Sequence, residues 1–134
     1  MSITSVANHF RIAIITRVRL MLNASLARTF RVPVDTPLIS DSTISPTVYL
    51  KGKDEILDYT CDWTDWLADC DDTILYGDIT FPVTSNLIVT TTDFDDNKVF
   101  IMAGESSVGT WPIKFYIDTI AGRYHEVEII LEVR

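Results

Sequence analysis

The chain has 134 residues, 47% of them hydrophobic and 22% charged, and a formal net charge of -8. That length holds one domain of ordinary size plus an arm, and so average a composition excludes a disordered or collagen-like chain. All 19 acidic residues lie from Asp35 onward, whereas the first 34 residues carry five arginines and no acid, so +5 there leaves 6 - 19 = -13 for the rest.

The richest apolar stretch, residues 12–22, is interrupted by Arg17 and Arg19. It falls well short of the roughly 20 residues a bilayer span needs, so no membrane association is expected. Residues 1–10 contain no Lys or Arg, which does not fit a secretory signal, and the protein is expected to stay in the compartment where it is made. Ile12, Ile14, Thr16, Val18, Leu20 and Leu22 recur at period two, with Arg11, Ala13, Ile15, Arg17, Arg19 and Met21 on the opposite face. A helix can also be drawn, since Ile12, Ile15, Arg19 and Leu22 share a helical face. The β-branched content and the turn-like Asn23-Ala24-Ser25 favour a hairpin returning through 26–34. Left bare, such an extended or hairpin arm would aggregate, so a partner or a second copy is expected to cover it. Its docking residues would be Arg11, Ile12, Ile14, Arg17, Val18, Arg19, Leu20, Leu22, Arg28, Phe30 and Arg31.

Residues 32–47 hold Pro33, Pro37 and Pro46 among Asp, Ser and Thr, and read as a linker. The expected division is therefore an arm with linker over 1–47 and an acidic body over 48–134. Within the body, short β-type runs at 57–63, 73–83, 87–92, 98–103, 111–120 and 124–133 are separated by turn residues, the pattern of an all-β, antiparallel sandwich. In the last two, Ile113, Phe115 and Ile117 alternate with Lys114, Tyr116 and Asp118. Val127, Ile129, Leu131 and Val133 then alternate with Glu126, Glu128, Ile130 and Glu132 after the tight turn Ala121-Gly122-Arg123. In the first run Leu57, Tyr59, Cys61 and Trp63 should face inward while Asp58, Thr60, Asp62 and Thr64 face out, and Trp66-Leu67 should fold over the sandwich end.

Chemistry finds little to use. Nucleophilic catalysis needs a base beside its nucleophile, and the two histidines, His9 and His125, are read as surface residues, so no enzymatic activity is expected. Cys61 and Cys70 read as free thiols. The acid-rich stretches Asp69-Cys70-Asp71-Asp72 and Asp93-Phe94-Asp95-Asp96-Asn97 could offer oxygens to calcium, but lack the glycine and the later glutamate of a helix-loop-helix site and read as solvated turns. No glycine-rich phosphate loop exists, and no cofactor is expected. Trp63 reads as core, while Trp66 is open to a contact or sugar-stacking role. A body this acidic repels phosphate backbones and is expected to bind no nucleic acid.

One segment is distinctive: Lys53-Asp54-Glu55-Ile56-Leu57-Asp58-Tyr59-Thr60-Cys61-Asp62-Trp63-Thr64-Asp65-Trp66-Leu67, followed by Asp72-Thr73-Ile74. It resembles the "K-D-P-D-x-x-L-D-Y-x-I-D-W-S-x-W-L … G-D-T-I" opening of a family of small phage and prophage fibre-related virion proteins. Ile117-Asp118-Thr119-Ile120-Ala121-Gly122-Arg123 resembles that family's final "I-x-T-x-x-G-R" turn. This chain lacks the proline, has Cys61 for an aliphatic residue, and has Asp71-Asp72 where Gly-Asp is usual. The resemblance implies a non-catalytic, immunoglobulin-like sandwich, with Leu57, Tyr59, Trp63, Trp66 and Leu67 as motif and core residues. The function expected is a structural protein of a tailed-phage virion, docked by its arm on other virion proteins and present in several copies. The alternative is a glycan- or host-surface-binding module, with or without calcium.

Overall fold

A computed structural model describes residues 23–34 and 47–134. Its strands are β1 Thr29–Arg31, β2 Val48–Lys51, β3 Leu57–Asp62, β4 Ile74–Thr80, β5 Val89–Phe94, β6 Lys98–Ala103, β7 Gly109–Thr119 and β8 Tyr124–Val133, with one helix, α1, at Thr64–Cys70. They form two four-stranded sheets, β1-β3-β6-β5 and β2-β8-β7-β4, packed face to face as an all-β sandwich. The expected runs at 98–103 and 124–133 coincide with β6 and β8. The run at 73–83 ends early, because Phe81-Pro82 turns the chain into a 3-10 turn at Val83–Ser85.

Both sheets are mixed: the expected antiparallel pairing makes up most of each, with one parallel edge pair in each. The strands β3, β6 and β5, and likewise β8, β7 and β4, pair antiparallel, but β1 joins β3 and β2 joins β8 in parallel. Hairpin turns dictate direction between β7 and β8 and between β5 and β6. No hairpin ties β1 or β2 to its partner, and each is laid on a finished edge by a long connection, which leaves the direction free. The described part of the expected arm hairpin therefore pairs with the body: Thr29, Phe30 and Arg31 lie beside Thr60, Cys61 and Asp62. The outbound half, 10–22, lies outside the described residues.

The core follows from period two. Tyr59, Cys61 and Trp63 come from the first sheet with Val99, Ile101 and Ala103, and they meet Ile113, Phe115, Ile117, Ile129, Leu131 and Val133 from the second. Val32, expected in the linker, is buried, and its amide donates to the Asp62 carbonyl at 2.8 Å. Gly77 sits opposite Ile117 in β4, where a Cβ would stand 2.5 Å from Val99 Cγ2. Lys51 also points inward, buried to 1% exposure, and its Nζ donates to the Gly52 carbonyl at 2.8 Å and to Ser106 Oγ at 3.3 Å. Burial pushes its ammonium below the ordinary lysine value.

Tyr59 is fully buried, and its hydroxyl has no hydrogen-bond partner among the described residues. Burial raises the phenol to about 12, opposed by Arg28 and assisted by Glu55, Asp58 and Tyr49. The phenol stays neutral in the fold, so any stability tied to that neutrality is complete below pH 10 and lost as pH climbs toward 12. Tyr59→Phe removes an unsatisfied polar group and should raise the unfolding free energy by about 1 kcal/mol. It should also flatten the decline above pH 10. Urea melts at pH 7 and 11 check both, and a loss of stability at pH 7 would show that the hydroxyl is bonded.

Candidate functional site

Three clusters gather the residues that the sequence singles out. The first is the root of the arm. The Ser25 amide donates to Asp58 Oδ2 at 2.6 Å, and Arg28 grips the same residue through Nε to the carbonyl and Nη2 to Oδ1, both at 2.8 Å. Burial works to raise the Asp58 carboxyl, but the Ser25 amide and the Arg28 guanidinium outweigh it and hold the group below its ordinary value. Phe30 packs against the core. Arg31 pairs with Asp65 of α1 at 2.9 Å, but both are well exposed and such a pair contributes little. Of the eleven expected docking residues, Arg28, Phe30 and Arg31 are thus engaged by this chain's own sandwich. Arg11, Ile12, Ile14, Arg17, Val18, Arg19, Leu20 and Leu22 lie outside the described residues.

The second cluster closes one end of the sandwich. Asp62 Oδ1 accepts the Thr64 amide at 2.8 Å, so the chain leaves β3 directly into α1, a seven-residue helix that the sequence reading did not name. Trp63 is fully buried, and its Nε1 donates to His125 Nδ1 at 3.0 Å. An indole N–H only donates, so Nδ1 must carry the lone pair. The Trp66 ring stacks on the same imidazole at 4.7 Å and 18°. His125, read from sequence as a surface residue, is half-buried and joins β3 and α1 to β8. Tyr59, Trp63 and Leu67 belong to the buried core cluster, with Leu57 and Trp66 packed against it.

The third cluster joins the two motif segments, which lie far apart in sequence. Asp72, at the exit of α1, accepts the Thr73 amide at 2.9 Å, the Ala121 amide at 3.1 Å and Arg123 Nη1 at 2.9 Å. The Thr119 hydroxyl contributes most to lowering its carboxyl, against burial, and the amides and Arg123 add to bring it to about 2. Gly122 adopts φ +91°, a conformation that favours glycine, and this turns β7 into β8 beneath the carboxylate. Asp71, where the resembling family has glycine, takes the left-handed φ of 52° that ends the helix. Because the folded value of Asp72 is depressed, its contribution is present above the ordinary carboxylate range and lost as pH falls toward 2. Asp72→Asn should lower the melting temperature by several degrees at pH 7 and leave a shallower acid decline between pH 5 and 2. Thermal melts across that range check it, and parallel curves for the two proteins would be the contrary result.

The other candidates take structural places. Cys61 and Cys70 are free, and burial pushes the Cys61 thiol well up, leaving it inert. Asp95 Oδ1 accepts the amides of Asn97 and Lys98 in the β5–β6 turn. No group of three or more metal-ligating side chains occurs among the described residues, and no helix among them is long and apolar enough to cross a membrane. The sequence reading missed an aromatic row on the outer face of the second sheet. Tyr76, Tyr116 and Tyr124 follow one another at 6.4 and 6.0 Å, with two hydroxyls tied to Asp78 and Glu126. Each tyrosine is two residues from an acid on the same face, a signal that period two would have exposed.

A family model described as podophage GP4 fiber-tail adaptor protein gp77 matches residues 51–132. No curated protein matches the chain. Among solved structures, the crystal structure of the cysteine protease inhibitor EhICP2 from Entamoeba histolytica is similar with a TM-score of 0.46 and 9% identity, over 66% of this chain and 85% of that one.

Proposed function

We infer, since this chain belongs to the podophage fibre-tail adaptor family, that it is a non-enzymatic structural component of a tailed-phage tail, which binds other virion proteins and transforms no substrate. The observation that carries this reading is where the motif residues go. Trp63, Trp66, Asp72, Thr119 and Arg123 are all spent on clamping the ends of the sandwich. A chain that uses these residues to fix its own shape presents that shape for neighbours to hold.

In this proposal the body is an immunoglobulin-like unit, and residues 10–22 dock on an adjacent virion protein. Their alternating apolar side chains enter its surface, and Arg11, Arg17 and Arg19 pair with its acids. The tyrosine row of the second sheet is left for a further contact, since tyrosine gives large, rigid contact area at low entropic cost. Glycan binding has less support, because the Trp66 ring that would stack on a sugar already stacks on His125.

Replacing Ile12, Ile14, Val18 and Leu20 together by serine should leave the near-ultraviolet circular dichroism of the purified protein unchanged and remove it from assembled particles. Normal incorporation of that variant, measured by quantitative immunoblot of purified virions, would refute the docking role of the arm.

A further inference from the structure

The outer face of the second sheet is a checkerboard of rings and carboxylates. Ile113, Phe115, Ile117, Ile129, Leu131 and Val133 belong to the core, so the residues between them in β7 and β8 alternate away from it. Strand register then sets Tyr76, Asp118 and Tyr124 in one row, Asp78, Tyr116 and Glu126 in the next, and Thr80, Lys114 and Glu128 in a third. Over the first two rows tyrosine and acid alternate both along the strands and across them. Tyr76 and Tyr124 are 45% and 56% exposed, which leaves large aromatic surface in water.

The rings are fixed in place before any partner arrives. The Tyr76 hydroxyl donates to Asp78 Oδ2 at 2.8 Å and the Tyr124 hydroxyl to Glu126 Oε2 at 2.9 Å, while Tyr76 meets Phe94 edge-on at 5.7 Å. Binding would therefore order little that is still loose. The charge is one-sided: the three rows hold Asp78, Asp118, Glu126 and Glu128 against Lys114, so 1 - 4 = -3. Lys114 is taken by Glu126 at 3.5 Å. The carboxylates of Asp118 and Glu128 pair with no base and accept no hydrogen bond among the described residues.

We propose that this face docks an arginine-bearing segment of a partner protein, which rests on the reading above that the chain binds other virion proteins. Charge complementarity selects the occupant. A guanidinium is planar, lies flat on a tyrosine ring and reaches an adjacent carboxylate with its fork of N–H donors, and the checkerboard places both at neighbouring positions. An ammonium uses the charge but matches the ring and the paired oxygens less well. A phosphate-bearing or acidic partner is repelled. Beside the third row, a shallow depression of about 200 Å³ lined by Thr80, Phe81, Pro82, Pro112, Lys114 and Glu128 gives such a side chain room next to the unpaired Glu128.

The test titrates the full-length chain by calorimetry, at low salt, with octa-arginine and with octalysine. Octa-arginine should bind about five-fold more tightly or better. Changing Tyr76, Tyr116 and Tyr124 together to Ser should weaken octa-arginine about ten-fold and erase its advantage over octalysine, since each exposed cation–ring contact is modest and three are lost. Asp118→Asn with Glu128→Gln should weaken it about five-fold. Asp54→Asn with Glu105→Gln removes the same charge from exposed loops beside the far end of β8 and should change it less than about two-fold. The carboxylate pair decides the matter if the serine variant melts too early to titrate. Equal affinity for the two peptides, or two carboxylate variants that weaken binding alike, overturns the proposal, because net charge alone would then account for binding. Self-association of the parent that the tyrosine variant loses overturns it too, since the occupant would be a second copy, and so does binding of maltoheptaose that the same variant loses. Absence of the chain from purified virions would refute the functional reading and leave the arginine preference standing, so the two ideas fail separately.

Discussion

Trp63→Ala should cost about 3–5 kcal/mol of unfolding free energy, the range for removing a fully buried aromatic from a core. Trp63 has no exposed surface and is the side chain through which β3 of one sheet hydrogen-bonds to β8 of the other. Two losses therefore combine. Volume is lost between the sheets, and the half-buried His125 Nδ1 loses the indole donor. Trp63→Phe separates them: it keeps most of the packing, and the orphaned acceptor should cost about 1–3 kcal/mol. Pairing Trp63→Phe with His125→Phe should recover part of that, since replacing both partners of a bond is milder than removing one. Urea denaturation of the parent, Trp63→Phe, His125→Phe and the double variant measures the coupling, provided that the slope with denaturant stays constant. Strict additivity would mean that the bond contributes nothing.

The second large effect belongs to a close approach between the sheets at Gly77. A Cβ on Gly77 would meet Val99 Cγ2 at 2.5 Å, with Ile117 at 3.6 Å beyond it. Gly77→Ala should therefore destabilise by about 1–3 kcal/mol through overpacking. Val99→Ala, at a fully buried position, should cost about 2 kcal/mol for two lost methyl groups and the cavity they leave. The two changes are complementary, because the cavity of one receives the methyl of the other. The double variant should be more stable than the sum of the single effects predicts by at least about 1 kcal/mol. A double variant as unstable as the sum would show that β4 shifts away from β6 to accommodate the methyl, and that this spacing is soft.

Each part of the fold became legible where a local rule operates. The alternation of Ile113, Phe115 and Ile117 with charged and polar neighbours, and the Ala121-Gly122-Arg123 turn, place β7 and β8 within two residues, because a half-buried strand writes its own period. The direction of β1 was not legible. Its three residues carry no pairing information, and what holds them is Arg28 on Asp58 and Val32 on Asp62, contacts across thirty residues. The seven-residue helix was missed for a related reason: Asp-rich segments of that length read equally well as turns.

The candidate site divides in the same way. Tyr59 and Trp63 were read as inward because their spacing marks one face of a strand, whereas Leu67 was read with Trp66 as folding over the sandwich end. His125 was misplaced on the surface, since alternation in β8 shows which face it occupies but not that Trp63 and Trp66 wait across the gap. Asp72 and Arg123 stood in two separately noticed segments, and only the packing of β4 against β7 brings the carboxylate over the turn.

By itself the sequence determined the class, an acidic all-β body with a basic apolar leader, because periodicity and charge are properties of neighbouring residues and need no partner. Only the tertiary structure decided that two edge strands run parallel and that Lys51, Val32 and Phe100 are buried. Those outcomes depend on which distant segments meet, and the free energy of such meetings is not written in any local stretch of chain.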